Sequence, residues 1–397
     1  MLHAFTYDEK LAEDEKELEW ESLEYDPSRP DGTATLASAS PELWDLITEY
    51  LTARDTANLW ISCKTLYRKL GHWPQDMLNK PENRQDRIDF LLPMDSKLPN
   101  HLFCFPCASY HLRINPGSES LKPTNVLNPL FTCPNSTNML LPPPRIRITE
   151  GRTLPFTFVQ LMKRHWLYGA EYGISTDAIA RRYKDPHSDW SHETRYHLHR
   201  NGHVLMRVKS QGYVYPGMTL AAKRLLLYSR SDYTPYFSVC AHWRDGVLMD
   251  QPKCALGHIP VRSYNAVTQY GKHRAVGLVS LCTECRPMRR CPECPTEYLF
   301  ELKLVEDKTE ARNDPARFKQ ALIVTRWSDL GEARSVEDRE WAAVAGDLEG
   351  YDSFAEVGKR AVSGVFESAF TDATPGQRMI SMNPKGIKRS VDNNAWY

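Results

Sequence analysis

Three Cys-x-x-Cys pairs carry the clearest chemical signal in this 397-residue chain: Cys104/Cys107, Cys282/Cys285 and Cys291/Cys294. At that spacing two thiolates on one tight turn can grip a single tetrahedral Zn²⁺. His111 follows Cys107 by four residues and Cys133 lies ahead on the other side of a proline-rich stretch, so Cys104, Cys107, His111 and Cys133 make a candidate Cys₃His set. The second cluster is richer, because Cys240 and His242, then Cys254 and His258, precede the two close pairs at 282–294. Two groupings stay open there. Cys282, Cys285, Cys291 and Cys294 can form one Cys₄ site, since the five intervening residues span about 17 Å when extended. Alternatively, Cys240/His242 and Cys254/His258 each join one close pair around a separate ion.

Both clusters have the character of closed structural zinc sites, with no spare carboxylate beside an open coordination position such as metal-assisted hydrolysis needs. A thioredoxin-like redox role is not expected, since no pair opens a helix directly after a strand. Nine of the ten cysteines fall into these clusters. Cys63 remains, on an apolar helical position where a thiol serves as a small hydrophobe.

Motifs for bond-making chemistry are missing. There is no phosphate loop, no dinucleotide fingerprint and no nucleophile elbow. His192-Glu193 begins like a zincin helix, but Tyr196 occupies the second histidine position. His197 and His199 would share one face of a strand and are better taken as half-exposed sheet residues. No enzymatic activity is expected.

Composition narrows the class further. Fifty basic and fifty acidic side chains give zero net charge, which removes the simplest argument for nucleic-acid binding. The balance hides a segregation. Residues 1–32 hold eleven acids against three bases, a net −8, while Arg145 to Arg230 holds fifteen bases against six acids, a net +9. The acidic stretch cannot bury enough apolar surface to order itself, so a disordered tail is expected over 1–37, and another from 371. Three occupants are conceivable for the basic segment: an acidic partner protein, a phosphate backbone, or the acidic tail itself. No apolar run approaches bilayer length and the N-terminus has the wrong charge for a presequence, which points to a cytoplasmic or nuclear protein with reduced thiols.

The elements that must carry these residues are mixed. Ser40 suits an N-cap and Pro41 a first helical position, and Leu43, Leu46, Ile47, Tyr50 and Leu51 then form one apolar stripe. Thr52 and Asp55 have capping-box spacing, ahead of a second stripe through Leu59, Trp60, Cys63, Leu66, Tyr67 and Leu70 that can break into two short helices. Further helices are expected at 84–92, 154–172, 336–344 and 354–366, with Ser175 opening a short one. Asn201-Gly202 signals a hairpin between 195–200 and 203–209. More strands are expected at 224–229, 237–243, 276–281, 297–305 and 320–327. The fold class is α+β: short N-terminal helices, then an irregular, zinc-stabilised region with antiparallel hairpins and flanking helices.

The stretch Ala39-Ser40-Pro41-Glu42-Leu43-Trp44-Asp45-Leu46-Ile47, followed by Tyr50-Leu51, Asp55, Leu59 and Cys63-Lys64, resembles the F-box. It departs from the usual pattern at Ala39-Ser40, where Leu-Pro is common, and at Thr56, where a Leu usually follows the Asp. Phe103-Cys104-Phe105-Pro106-Cys107 with His111, the run Cys291-Pro292-Glu293-Cys294-Pro295-Thr296-Glu297-Tyr298, and Val324-Thr325-Arg326-Trp327-Ser328-Asp329-Leu330-Gly331 are similar to fungal F-box domain-containing proteins with a cysteine-rich C-terminal region. That resemblance divides the chain into an acidic tail (1–37), an F-box (38–72), a cysteine-rich substrate receptor (73–370) and a second tail (371–397).

What the resemblance implies is a substrate-recognition subunit. It would bind the Skp adaptor of a cullin-based ubiquitin ligase and recruit an unknown protein substrate. Pro41, Leu43, Ile47, Leu51 and Leu59 would be adaptor contacts, and Trp60 is added because it extends the same stripe. About 35 residues of short helices cannot bury both stripes alone, which independently calls for a partner surface or the rest of this chain. The competing reading is a zinc-stabilised interaction or transcription-related protein without ubiquitin-ligase association, in which these helices belong to the chain's own core.

Overall fold

The computed structural model describes residues 36, 38–133, 135, 143–215, 217–230, 233–243, 250–259, 285, 288–311, 314, 317–356 and 362–370. Nearly all of the acidic N-terminal stretch, the C-terminal tail, the strand expected at 276–281 and Cys282 lie outside the described residues. The chain forms two compact units: Met1–Pro116 with Pro129–Pro143, and Gly117–Asn128 with Pro144–Tyr397.

In the first unit, α1 (Pro41–Glu49) starts where its sequence says it should. Ser40 is extended at the N-cap and its hydroxyl accepts the Leu43 N–H, with proline at the first helical position. Thr52 caps α2 (Ala53–Ser62): its hydroxyl accepts the Asp55 N–H at 3.1 Å and donates to the Asp55 carboxylate at 2.9 Å. Asp86, on α5 (Arg84–Leu91), accepts the Ala53 N–H at 3.1 Å and satisfies another open donor of α2. Cys63 adopts an extended backbone between α2 and α3 (Lys64–Leu70), which is the break the second stripe allowed. The turn α4 (Trp73–Asn79), with Pro74 at its start, was not expected from the sequence. A 3₁₀ segment at Leu92–Lys97 leads into a two-stranded antiparallel hairpin, β1 (His101–Cys104) and β2 (Ser109–Leu112).

The second unit begins with a hairpin of β3 (Arg145–Thr149) and β4 (Arg152–Pro155), which runs directly into α6 (Phe156–Tyr168). The helix expected from Leu154 therefore starts two residues later. It stops at Gly169, whose φ of +99° suits glycine at a helix end. Ser175 caps the short α7 (Thr176–Ile179) by accepting the Ala178 N–H.

Six antiparallel strands follow as one sheet. They are β5 (Arg181–Lys184), β6 (Ser191–Leu198), β7 (Val204–Val214), β8 (Arg289–Arg290), β9 (Thr296–Glu306) and β10 (Phe318–Asp329), in the order β5-β6-β7-β10-β9-β8. The Asn201-Gly202 turn joins β6 to β7, but its loop spans His199 to His203, and the Asn201 side chain accepts the His203 N–H. β10 is buried continuously from Ala321 to Ser328, so the sheet is covered on both faces. On one face Trp327 packs with Leu205, Met288, Val362 and Phe366, the last two from α12 (Val362–Ser368). Between β7 and β9 lie α8 (Leu220–Leu227) and α9 (Asp250–Gly257). Two further helices, α10 (Arg339–Ala345) and α11 (Ser353–Glu356), precede α12.

Two expected strands are absent. Residues 224–229 fall mostly in α8, capped by Thr219, and 237–243 form no strand: buried Arg326 and Tyr298 side chains take the Val239 carbonyl and the Cys240 N–H. The fold is mixed helix and antiparallel sheet.

Candidate metal centres

In the first unit the β1–β2 hairpin delivers three candidate ligands. Cys104 ends β1, Cys107 sits in the connecting turn, and His111 lies on β2 opposite Leu102. Ala108 takes a φ of +47° and donates its N–H to Phe105 O at 3.0 Å, which tightens the turn into a knuckle. Cys133 arrives on a segment tied to β2 through the Arg113–Phe131 bridge and the Thr132 N–H to Leu112 O. Its Sγ lies 3.4 Å from that of Cys107 and 3.9 Å from that of Cys104, and the ligand atoms of Cys104, Cys107, His111 and Cys133 all lie within 4.8 Å of one another.

The surroundings orient this donor set. Asn135 donates its backbone N–H to Cys133 Sγ and its side-chain amide to Cys107 Sγ, both at 3.3 Å. The Phe131 ring stacks on His111 with centroids 5.7 Å apart. Such bonds to ligand atoms are what holds a coordination sphere in place. Burial pushes the Cys104 and Cys133 thiols up, so a cation is what would favour their ionised form.

In the second unit the structure divides the later cysteines between two groups. Cys240, His242, Cys291 and Cys294 form one, with all ligand atoms within 4.8 Å. Cys291 and Cys294 come from the turn entering β9, closed by Cys291 N–H to Thr296 O (2.8 Å) and Thr296 N–H to Cys294 O (2.7 Å). The Cys240 N–H donates to the buried Tyr298 hydroxyl at 2.7 Å, and Ser353 donates its hydroxyl to Cys291 O. Burial opposes ionisation of Cys240, but hydrogen bonds with Cys291, Cys294 and His242 outweigh it and bring this thiol well below its ordinary value. Cys291 and Cys294 are pushed the other way, by burial and by Cys240 beside them. The Nδ1 of His242 is buried with no hydrogen-bond partner among the described residues.

The other group is Cys254, His258 and Cys285. Cys254 lies on α9 and His258 directly follows its last residue, with Sγ 3.5 Å from Nε2, and Cys285 is fully buried. Cys282 lies outside the described residues. Of the two groupings the spacing left open, Cys285 sits with Cys254/His258 and apart from Cys291/Cys294. Each of the three Cys/His groups could hold a metal ion, and no disulfide joins the described cysteines.

The six residues named as adaptor contacts have different surroundings. Leu43 and Ile47 are 47% and 37% exposed, with Leu46 and Tyr50 exposed beside them; Pro41 is exposed too. Leu51 and Leu59 are half-buried. Trp60 is turned inward: it stacks on Tyr67 at 4.8 Å, donates its indole N–H to Tyr67 O at 3.2 Å and belongs to the chain's own packing. The inward face of α1 is carried instead by Trp44 and Thr48. A groove of about 740 Å³ runs along α1 and α4, with Leu46, Leu51, Trp73 and Met77 in its lining and Glu42, Asp45 and Glu49 as its charged residues.

His192 and Glu193 point to opposite faces of β6. The His192 ring is buried against Tyr183, with Nδ1 3.0 Å from Ser210 Oγ, and burial pushes the imidazole down to about 4. Glu193 pairs with Arg182, Arg195 and Arg207, so three of the basic segment's arginines share one carboxylate. His197 packs edge-on to Phe366 and Phe370, while His199 lies in the hairpin turn.

Sequence reasoning missed Tyr298 and Arg326 as parts of the second-unit site. They are cross-strand partners on β9 and β10, facing Cys240, and the available signal was the alternation that puts Arg326 on the same face as Val324 and Ser328. Among the described residues, no helix is long and apolar enough to cross a membrane. No family model, no curated protein and no solved structure matches the chain.

Proposed function

We propose that this protein is the substrate-recognition subunit of a cullin-based ubiquitin ligase, an F-box protein that docks a Skp adaptor through α1 and presents a zinc-stabilised α+β region to a protein substrate. The observation that carries the reading is the orientation of α1. A well-capped helix packs inward through Trp44 and Thr48 and leaves Leu43, Leu46, Ile47 and Tyr50 in solvent. Clustered exposed apolar side chains of this size mark a surface that another protein covers. The F-box pattern places adaptor contacts at Leu43 and Ile47. The protein itself makes and breaks no bonds on this reading. It raises the effective concentration of substrate near the conjugating enzyme, in the cytoplasm or nucleus.

Zinc is the ion the three groups suit best. Four ligands on a tetrahedron with zinc–sulfur bonds of about 2.3 Å place sulfurs roughly 3.8 Å apart. The 3.4 and 3.9 Å separations at Cys133 bracket that distance. In the two four-residue groups the donors are thiols and imidazoles with no open position, so their role is structural: the ions tie loops to strand ends where the core is irregular. Trp60 favours a core role for α2 and α3, so α1 carries the docking proposal.

The test is co-purification of the full chain with a Skp adaptor. The wild-type chain captures the adaptor, and a Leu43→Asp/Ile47→Asp variant that retains wild-type circular dichroism does not. Equal capture by both would overturn the assignment.

A further inference from the structure

Arg326 is completely buried at the middle of β10. Its Nε donates to Ser328 Oγ at 2.9 Å, and its Nη1 donates to Val239 O at 2.6 Å and to Arg147 O at 3.1 Å. Every one of these acceptors is neutral, Nη2 has no partner, and no carboxylate pairs with the guanidinium among the described residues. A guanidinium cannot shed its proton inside a protein, so an unpaired one in the core is strongly unfavourable unless an anion lies close by.

A candidate anion is the thiolate of Cys240, which follows directly on one of the guanidinium's acceptors. Val239, which accepts from Nη1, is the residue before Cys240. Tyr298, directly opposite Arg326 in the β9–β10 register, accepts the Cys240 N–H through its hydroxyl. The guanidinium thus bonds the residue before Cys240, and its cross-strand neighbour bonds Cys240 itself. The other buried arginine of this sheet behaves differently: Arg290 has a carboxylate, Glu297, at 3.0 Å.

We infer that Arg326 is the built-in counter-charge of the Cys240–His242–Cys291–Cys294 centre, which it matches to a divalent ion held by three thiolates and one neutral imidazole. The charges add to −1 on the centre and +1 on the guanidinium, leaving the buried assembly neutral. An all-cysteine set would leave an excess negative charge, and a set with two imidazoles would leave Arg326 unbalanced. The choice of His242 as fourth donor and the arginine on β10 are thus one feature. This rests on the metal reading above and makes Arg326 a positioning residue for the loop and its charge.

The experiment compares the wild-type full chain with R326M and R326K, measuring bound zinc after dialysis, zinc affinity against a chromophoric chelator, and the thiolate-to-cobalt charge-transfer band after Co²⁺ substitution. R326K keeps the charge but loses the forked hydrogen bonds; R326M fills the space without charge. The expected result is wild-type stoichiometry and band intensity for R326K. R326M loses one equivalent, or binds one ion at least tenfold more weakly, while the Cys104–Cys133 centre stays loaded. Wild-type affinity in R326M overturns the inference, and so does a R326K variant that fails as R326M does, since hydrogen bonding would then be what matters. If R326M does not fold, R326K decides alone. Less than one zinc per wild-type chain is a different result and sinks the metal reading itself.

Discussion

Trp60→Ala and Leu43→Asp/Ile47→Asp should separate folding from docking, although all three residues lie in the same short-helix region. Trp60 is 8% exposed, and the structure assigns it a ring stack and an indole hydrogen bond, both to Tyr67. Truncating a buried tryptophan costs about 3–5 kcal/mol, of which the stack supplies roughly 1 kcal/mol. Leu43 and Ile47 keep only about half of their surface buried, so each loses on the order of 1 kcal/mol of burial when replaced. Position 43 is also in the first turn of α1, where an aspartate is favoured by the helix dipole. The variants should therefore differ in kind. Trp60→Ala lowers the stability of α2 and α3 by about 4 kcal/mol, with loss of docking only as a consequence. The double aspartate costs about 2 kcal/mol or less and abolishes docking, because two carboxylates would have to be buried against an apolar surface. Hydrogen exchange of the 53–70 amides in the full chain reports the first effect, and adaptor binding the second. A Trp60→Ala chain within 1 kcal/mol of wild type, or a double-aspartate chain with α2 and α3 melted, would refute the reasoning.

Metal analysis of the purified full chain should find at least two zinc equivalents, with Cys291→Ser/Cys294→Ser and Cys104→Ser/Cys107→Ser each losing one; unchanged content in either variant would contradict the grouping. Acid sensitivity should trace in part to His192. Its folded value is depressed to about 4, below the ordinary value near 6.5, so the stability held by the neutral ring is complete above pH 6.5 and is lost as pH falls towards 4. The size is up to about 3 kcal/mol. Denaturant midpoints at pH 7.5 and 4.5 should differ less in His192→Asn than in wild type, and equal pH dependence would exclude His192 as the cause.

Local chemistry was the legible part of this sequence. Cys-x-x-Cys spacing locates the β1–β2 knuckle and the turn into β9, because a tight turn is what that spacing demands. Ser40, Thr52 and Ser175 cap helices for reasons that lie within four residues. Long-range facts were less accessible. The run Leu225-Leu226-Leu227-Tyr228 suits either a buried strand or a helix, and the Thr219 cap at the head of α8 decides for helix. Phe237 to Trp243 has strand-like composition, but Arg326, almost ninety positions away, takes Val239 O, and Tyr298 takes the Cys240 N–H. The alternation Arg145-Ile146-Arg147-Ile148 and the turn at Gly151 signal the β3–β4 hairpin, but the prolines just before it suit irregular backbone equally well. Helical period puts Trp60 and Tyr67 on one stripe but does not tell a docking face from a core face; their ring stack at 4.8 Å is what assigns Trp60 to the core.

The central claim is that α1 is a docking helix for a Skp adaptor. The most direct measurement is hydrogen exchange of the full chain with and without purified adaptor, alongside the mass of the complex. The account predicts a one-to-one complex in which the amides of Pro41–Glu49 gain protection while those of the central strands, Val204–Val214 and Phe318–Asp329, are unchanged. No complex at micromolar concentration, or a complex in which α1 exchanges as it does in the free chain, would contradict it.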